Sequence, residues 1–340
     1  MPPPPPPLPP PPSAAAAVDP KTIDPNRILN VNVGVLGPVD SGKTSLVKTL
    51  STLLSTASLD RSSQSRQRGI TLDLGFSAFL MAPVPPRIAQ DPRYCEDGEG
   101  EGEGGDSRPR RCRYDALQIT LVDCPGHASL IRTIIGGAQI IDMVLLVVDA
   151  NKGVQTQTAE CIVIAEMTCR DMIVVLNKVD LLGGDDGADS PLRSVEARVR
   201  GVLRSTKFGD CQMVGVSACV GGEKVAAVVE GDSKDGAGAG AGPSAPGPIP
   251  TRNIDGLLRL LTSTLRPPVR DGGSLAASGF RFSIDHCFPI RGQGTVLTGT
   301  VLAGDVAVGD QVEFPTLGAI QRKVKSMQMF RRKVERIRQG

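Results

Sequence analysis

Eight residues, Gly37-Pro-Val-Asp40-Ser41-Gly42-Lys43-Thr44, carry the spacing G-x-x-x-x-G-K-[ST]. Such a loop can grip a polyphosphate. Gly37 and Gly42 let the backbone turn its N–H groups inward, so that the amides from Asp40 to Thr44 form an anion nest. Lys43 can reach the outer phosphates, and the Thr44 hydroxyl suits Mg²⁺. Context separates this reading from a glycine-rich turn with an incidental Lys-Thr. The apolar run Val31–Leu36 before the loop reads as a strand, and Ser45–Leu50 after it reads as a helix.

Three later motifs stand at the ends of strand-like runs. Asp123-Cys-Pro-Gly126-His127 follows Leu117–Val122. A carboxylate there suits a second Mg²⁺ anchor acting through water, and Gly126 lets its N–H approach a γ-phosphate. Asn177-Lys178-Val-Asp180 follows Met172–Leu176. Asp180 can accept hydrogen bonds from N1–H and the exocyclic amine of guanine. Adenine offers neither, and a site built around such donors rejects the analogue that leaves it unpaired. Asn177 can donate to N7 and tie neighbouring loops, while the Lys178 stem can lie on the base face. Ser217-Ala218, after Met213–Val216, can offer a backbone N–H to the guanine oxygen. Arg68-Gly-Ile-Thr71 lies between the first loop and Asp123, where a mobile loop would bring the Thr71 hydroxyl to Mg²⁺. Each short motif is weak alone. In this order, each at a strand end, they predict a GTP site with Mg²⁺.

The elements that must hold these loops are legible as alternating strand-like and helix-like segments from Ile28 to about residue 266, the pattern of an α/β domain with a mostly parallel sheet and helices on both faces. Strands are expected at Asn32–Leu36, Phe76–Met81, Ala116–Val122, Met143–Val148, Met172–Leu176 and Met213–Val216. They lack polar alternation, as strands buried on both faces do. Low-complexity insertions interrupt the pattern near 92–113, acidic then basic, and near 221–250, rich in Gly, Ala and Pro. Residues 1–27 read as a disordered Pro-rich tail, a solvated segment rather than a docking motif. A linker at 267–278 leads to a different texture. From 279 to 340 short strands joined by glycine turns predict an antiparallel β-barrel, incomplete at Gly340.

Composition narrows the classes. The chain has 340 residues, 40% hydrophobic and 22% charged, with net charge +2. That balance gives no global electrostatic case for nucleic acid. The eight cysteines show no C-x-x-C, and His127 and His286 are the two histidines, which argues against a zinc site. Cys124, Cys161 and Cys169 read as small core residues of a reducing, cytoplasmic compartment. No apolar run has membrane-span length, and the N-terminus does not read as a signal peptide.

At this point the chain resembles the translational GTPases, with Arg68-Gly-Ile-Thr71, Asp123-Cys-Pro-Gly126-His127 and Asn177-Lys-Val-Asp180 similar to that family's switch and guanine motifs. Gln64–Phe76 and Phe282–Val296 narrow the resemblance to the selenocysteine-specific elongation factors of the SelB type. The resemblance implies a GTPase that carries selenocysteinyl-tRNA to the ribosome, with a selenocysteine-insertion RNA-binding factor as a further partner. It implies that His127 positions the hydrolytic water, with Thr71 completing the switch. No arginine finger is evident in cis, so hydrolysis is expected to depend on the ribosome. Asp285 and His286 match a pair facing the aminoacyl group, where a cationic histidine could meet a selenolate. Neighbouring strand residues face opposite ways, which opposes a shared pocket. Arg322 to Arg338 holds eight basic residues against Glu335, and reads equally as an RNA-facing patch or a solvated strand pair.

Two departures accompany the resemblance. Pro38 stands where the family has histidine; it lies before the cradling amides, so nucleotide binding is expected to survive. The family also continues into another barrel and a C-terminal region that this chain does not contain. The rival expectations are a sibling aminoacyl-tRNA-carrying factor and a non-hydrolysing GTP-dependent scaffold.

Overall fold

The structure is a computed structural model that describes residues 23–54, 75–95, 111–124, 141–183, 190–220, 250–266, 279–290, 292, 294–329 and 332–338. The Pro-rich tail up to residue 22, the linker 267–278 and most of both insertions lie outside these residues. The chain divides into two compact units. Asn32–Leu80 and Ile119–Arg266 fall in the first; the second holds Met81–Gln118 and Pro267–Gly340, with the stretch ending at Val31.

Six strands make one sheet: β1 (Ile28–Leu36), β2 (Gly75–Met81), β3 (Ala116–Asp123), β4 (Met143–Asp149), β5 (Asp171–Asn177) and β6 (Gln212–Gly215). Their order is β2-β3-β1-β4-β5-β6. The pairs β1/β4, β4/β5 and β5/β6 are parallel. Every residue of β4 is buried, and so is every residue of β5 after Asp171. Runs such as Val144–Val148 therefore fill both faces of the sheet, and their burial contributes to the domain's apolar driving force. The predicted strands are all present; β1 begins at Ile28 rather than Asn32, and β6 lies one residue earlier than expected.

Helices follow the strands: α1 (Lys43–Leu54), the single turn α2 (Pro86–Ala89), α3 (Thr156–Thr168), α4 (Pro191–Leu203) and α5 (Ile254–Thr264). Each longer helix buries a stripe, for example Val195, Val199 and Leu203 of α4 and Ile254, Leu257 and Leu261 of α5. Those spacings of three and four residues place the stripe on one helix face. Register brings the strand ends level: Asp149 lies opposite Asn177, and Leu176 opposite Gly215. In an open parallel sheet that carboxyl edge is where ligands bind.

Both insertions leave from short antiparallel closures. Pro92–Tyr94 forms a 3₁₀ turn and Cys95 pairs across a bridge with Cys112. Val220 N–H donates to the Pro250 carbonyl at 2.8 Å, and Ser217 bridges Arg252. The ends of the segment near 92–113, read from sequence as loop, are thus structured.

After residue 279 the chain turns antiparallel: β7 (Arg281–Ile290), β8 (Gly294–Ala303), β9 (Asp305–Ala307), β10 (Gln311–Phe314), β11 (Ile320–Lys323), β12 (Met327–Met329), β13 (Arg332–Val334) and β14 (Arg336–Arg338). They form four two-stranded ladders, β7/β8, β10/β11, β12/β13 and β9/β14. Arg336 also pairs with Asp305 by a short salt bridge across the last ladder. Close approach of β7 and β8 demands a glycine at position 299. A Cβ there would stand 1.8 Å from the Ser283 carbonyl oxygen. Gly299→Ala should therefore force the strands apart and destabilise this unit by about 1–3 kcal/mol. Urea unfolding followed by a probe in residues 279–338 checks this; an unchanged midpoint would show that the ladder yields freely.

Candidate nucleotide-binding site

The loop between β1 and α1 is held by its own backbone. Gly37, Asp40 and Gly42 have φ of +153°, +61° and +87°. The Pro38 carbonyl accepts from Ser41 N–H at 3.4 Å and from Lys43 Nζ at 2.8 Å. Proline at position 38 thus removes an N–H but keeps the carbonyl that the loop uses. Val39 N–H donates to Gln157 Oε1 at 3.1 Å, so the first turn of α3 buttresses the loop. A Cβ on Gly42 would lie 2.3 Å from Asn177 Nδ2, so a side chain there collides with the neighbouring motif. Burial pushes the Lys43 ammonium pKa down, and the opposing charge of Asp123 pulls it back.

Thr44 and Asp123 meet directly. The Thr44 hydroxyl donates to Asp123 Oδ2 at 2.7 Å, although 79 residues separate them in sequence. Asp123 is buried, and its Oδ1 has no hydrogen-bond partner among the described residues. Burial raises the Asp123 pKa, with the Thr44 hydrogen bond and the Lys43 charge opposing. A hydroxyl and a carboxylate with an unused buried oxygen are hard donors that fit Mg²⁺. Water and phosphate oxygens would supply the remaining positions.

Asn177 joins the loops into one site. Its Nδ2 donates to the Ser41 carbonyl at 2.9 Å, and its Oδ1 accepts from Ala218 N–H at 3.1 Å. Phosphate loop, β5 end and β6 end are thereby tied through one buried amide. Lys178 takes a left-handed conformation, φ +66°. Its Nζ pairs with Asp149 Oδ2 at 2.9 Å and donates to the Asp40 carbonyl at 2.5 Å. Asp180 donates its N–H to Ser217 Oγ at 3.0 Å. Ser217 N–H is given to the Arg252 carbonyl at 3.0 Å. The two N–H groups read from sequence as candidates for the guanine oxygen, those of Ser217 and Ala218, thus donate here to the Arg252 carbonyl and to Asn177 Oδ1.

Asn177→Ala would strand two buried partners, each worth about 1–3 kcal/mol when left unsatisfied. We expect a melting temperature several degrees lower and guanine-nucleotide affinity reduced at least roughly tenfold. Thermal unfolding with and without nucleotide measures both; loss of neither would remove Asn177 from this linking role.

Other expected residues fall elsewhere. Thr71, Gly126 and His127 lie outside the described residues. Asp285 and His286 lie in β7, where the register shifts between Ile284 and His286.

Three supporting residues were missed. Asp149 is a buried carboxylate at the end of β4, and its Oδ1 also accepts from Asn151 N–H at 2.9 Å. The strand-end rule that singled out Asp123 would have found it. Gln157 and Arg252 act through distant partners and leave no local signal.

The sequence profile of the elongation factor Tu GTP binding domain matches residues 29–266. The chain belongs to that family. The chain is also similar to named relatives. The mouse (Mus musculus) selenocysteine-specific elongation factor is 45% identical over 314 residues, covering 92% of this chain and 46% of the relative. The factor of the same name from Methanocaldococcus jannaschii is 34% identical over 90% of this chain and 50% of its own length. A translation initiation factor 2 subunit gamma from Halorubrum lacusprofundi is 34% identical over 55% of this chain and 42% of its own. Among solved structures, translation elongation factor SelB from Methanococcus maripaludis in complex with the GTP analogue GppNHp aligns with TM-score 0.58 and 28% identity, covering 92% of this chain and 50% of that one. The chain spans about half the length of the curated relatives it matches.

Proposed function

We propose that this chain binds GTP with Mg²⁺, hydrolyses it to GDP and phosphate on the ribosome, and delivers selenocysteinyl-tRNA as a cytoplasmic elongation factor. The observation that carries the nucleotide reading is the Asn177 amide, which holds the phosphate loop and the base-reading loops in one site. The selenocysteine reading rests on similarity across 92% of the chain to a factor of that specificity, against 55% for the initiation-factor relative.

The chain's own groups divide the work. Amides from Asp40 to Thr44 and the positive end of α1 receive the phosphates, and Lys43 offsets their charge. Thr44, Asp123 and Thr71 would hold Mg²⁺, which when bound neutralises charge on the β- and γ-phosphates. Asp180 reads the guanine edge, Asn177 orients the loop and Lys178 covers the base. Gly126 brings its N–H toward the γ-phosphate, and His127 positions water for in-line attack. Asp285 and His286 contribute to holding the selenol of the aminoacyl group.

Three measurements test this. Calorimetry should detect Mg²⁺-dependent uptake of GTP and GDP, with ATP bound at least roughly a hundredfold more weakly. Ternary-complex formation should then favour selenocysteinyl-tRNA over seryl-tRNA; equal binding of the two would move the chain to a sibling factor. Single-turnover hydrolysis without stimulation by ribosomes would favour a binding scaffold.

A further inference from the structure

We propose that Cys95 and Cys112 form a reversible intramolecular disulfide, a redox modification site. The two are directly opposed in an isolated antiparallel bridge. Arg113 N–H donates to the Tyr94 carbonyl at 2.7 Å, which places the flanking hydrogen bond one residue outside the pair. Cys95 and Cys112 are therefore a non-hydrogen-bonded pair, the closer type, with Cα atoms typically about 4.5 Å apart. A disulfide needs Cα atoms separated by about 4.4–6.8 Å, so the backbone already meets its requirement.

The neighbourhood holds the two segments in this register. Tyr94 and Tyr114 make an edge-to-face ring contact at 5.5 Å, one residue before Cys95 and two after Cys112. Cys95 Sγ lies 3.3 Å from the Asp91 carbonyl, and Cys112 Sγ accepts from Tyr114 N–H at 3.5 Å. The exposures differ in a useful way. Cys95 is buried, while Cys112 is partly exposed. All eight cysteines lie among the described residues, and no other bridge or ladder there sets two of them opposite each other.

That asymmetry assigns roles. Cys112, as thiolate, attacks a low-molecular-weight disulfide and expels one thiolate, forming a mixed disulfide. Cys95, as thiolate, attacks the Cys112 sulfur and expels the second. Two protein thiols give up two protons and two electrons, and the small disulfide becomes two thiols. The buried partner thus resolves what the accessible one captures. The product covalently closes residues 96–111.

The full chain is incubated with oxidised glutathione under native conditions, alkylated and peptide-mapped. A Cys95–Cys112 cross-linked peptide is expected, at least roughly tenfold over any other pairing and reversed by reduced glutathione. In urea that preference should vanish, because the bridge register creates it. The Cys95→Ser variant should instead accumulate the mixed disulfide at Cys112. A native chain that stops at glutathionylated Cys112, pairs other cysteines, or pairs as readily in urea overturns the proposal. The urea comparison uses unaltered protein and stands even if the variant fails to fold.

Discussion

Asp180→Asn should transfer the site from guanine to xanthine nucleotides. In the proposed site guanine presents N1–H and an amine to the Asp180 carboxylate; an asparagine replaces one acceptor by a donor and opposes that amine. Xanthine carries an oxygen at the same place and restores the match. Leaving a buried donor unpaired costs about 1–3 kcal/mol, so GTP affinity should fall between roughly fivefold and a hundredfold or more. Affinity for xanthosine triphosphate should rise by a similar factor. The fold should tolerate the change, because the bond from Asp180 to Ser217 Oγ uses the backbone N–H. Competition calorimetry with both nucleotides reads the ratio. An unchanged preference for GTP would remove Asp180 as the base reader.

A second substitution separates binding from chemistry. His127→Ala should leave GTP affinity within about threefold and slow ribosome-stimulated hydrolysis by about 10²–10⁴. An interaction made only on the way to the transition state lowers turnover without touching ground-state affinity. Hydrolysis measured without ribosomes should change much less. Rapid-quench kinetics on programmed ribosomes gives the first number and equilibrium titration the second. Collapse of affinity would instead make His127 a structural part of its loop.

Much of this was readable from the chain, for identifiable reasons. β4 and β5 are continuous apolar runs, and a strand buried on both faces leaves that signature without help from tertiary context. That Thr44 meets Asp123 and Asn177 meets the first loop was legible because motifs at the carboxyl ends of parallel strands converge on one edge of the sheet. What escaped depends on contacts between remote segments. Gln157 supports Val39 across 118 positions, and nothing local marks a surface glutamine for that duty. The register shift between Ile284 and His286 is a feature of pairing, so a single strand read alone showed only alternation. The segment near 92–113 looked uniformly loop-like because its composition is dominated by Glu, Gly and Arg. Its ordered ends rest on two tyrosines and two cysteines.

The pinning of Val220 to Pro250 and of Ser217 to Arg252 gives the domain a length-tolerant joint. Closure entropy grows only with the logarithm of what is looped out, so spacer residues can multiply or vanish at small energetic consequence. Excising 221–249 in favour of a brief turn should leave the corner formed by Asn177, Ser217 and Ala218 intact. Evolution can therefore tinker with that span as an appendage, free to acquire new length or chemistry while the nucleotide pocket keeps its shape.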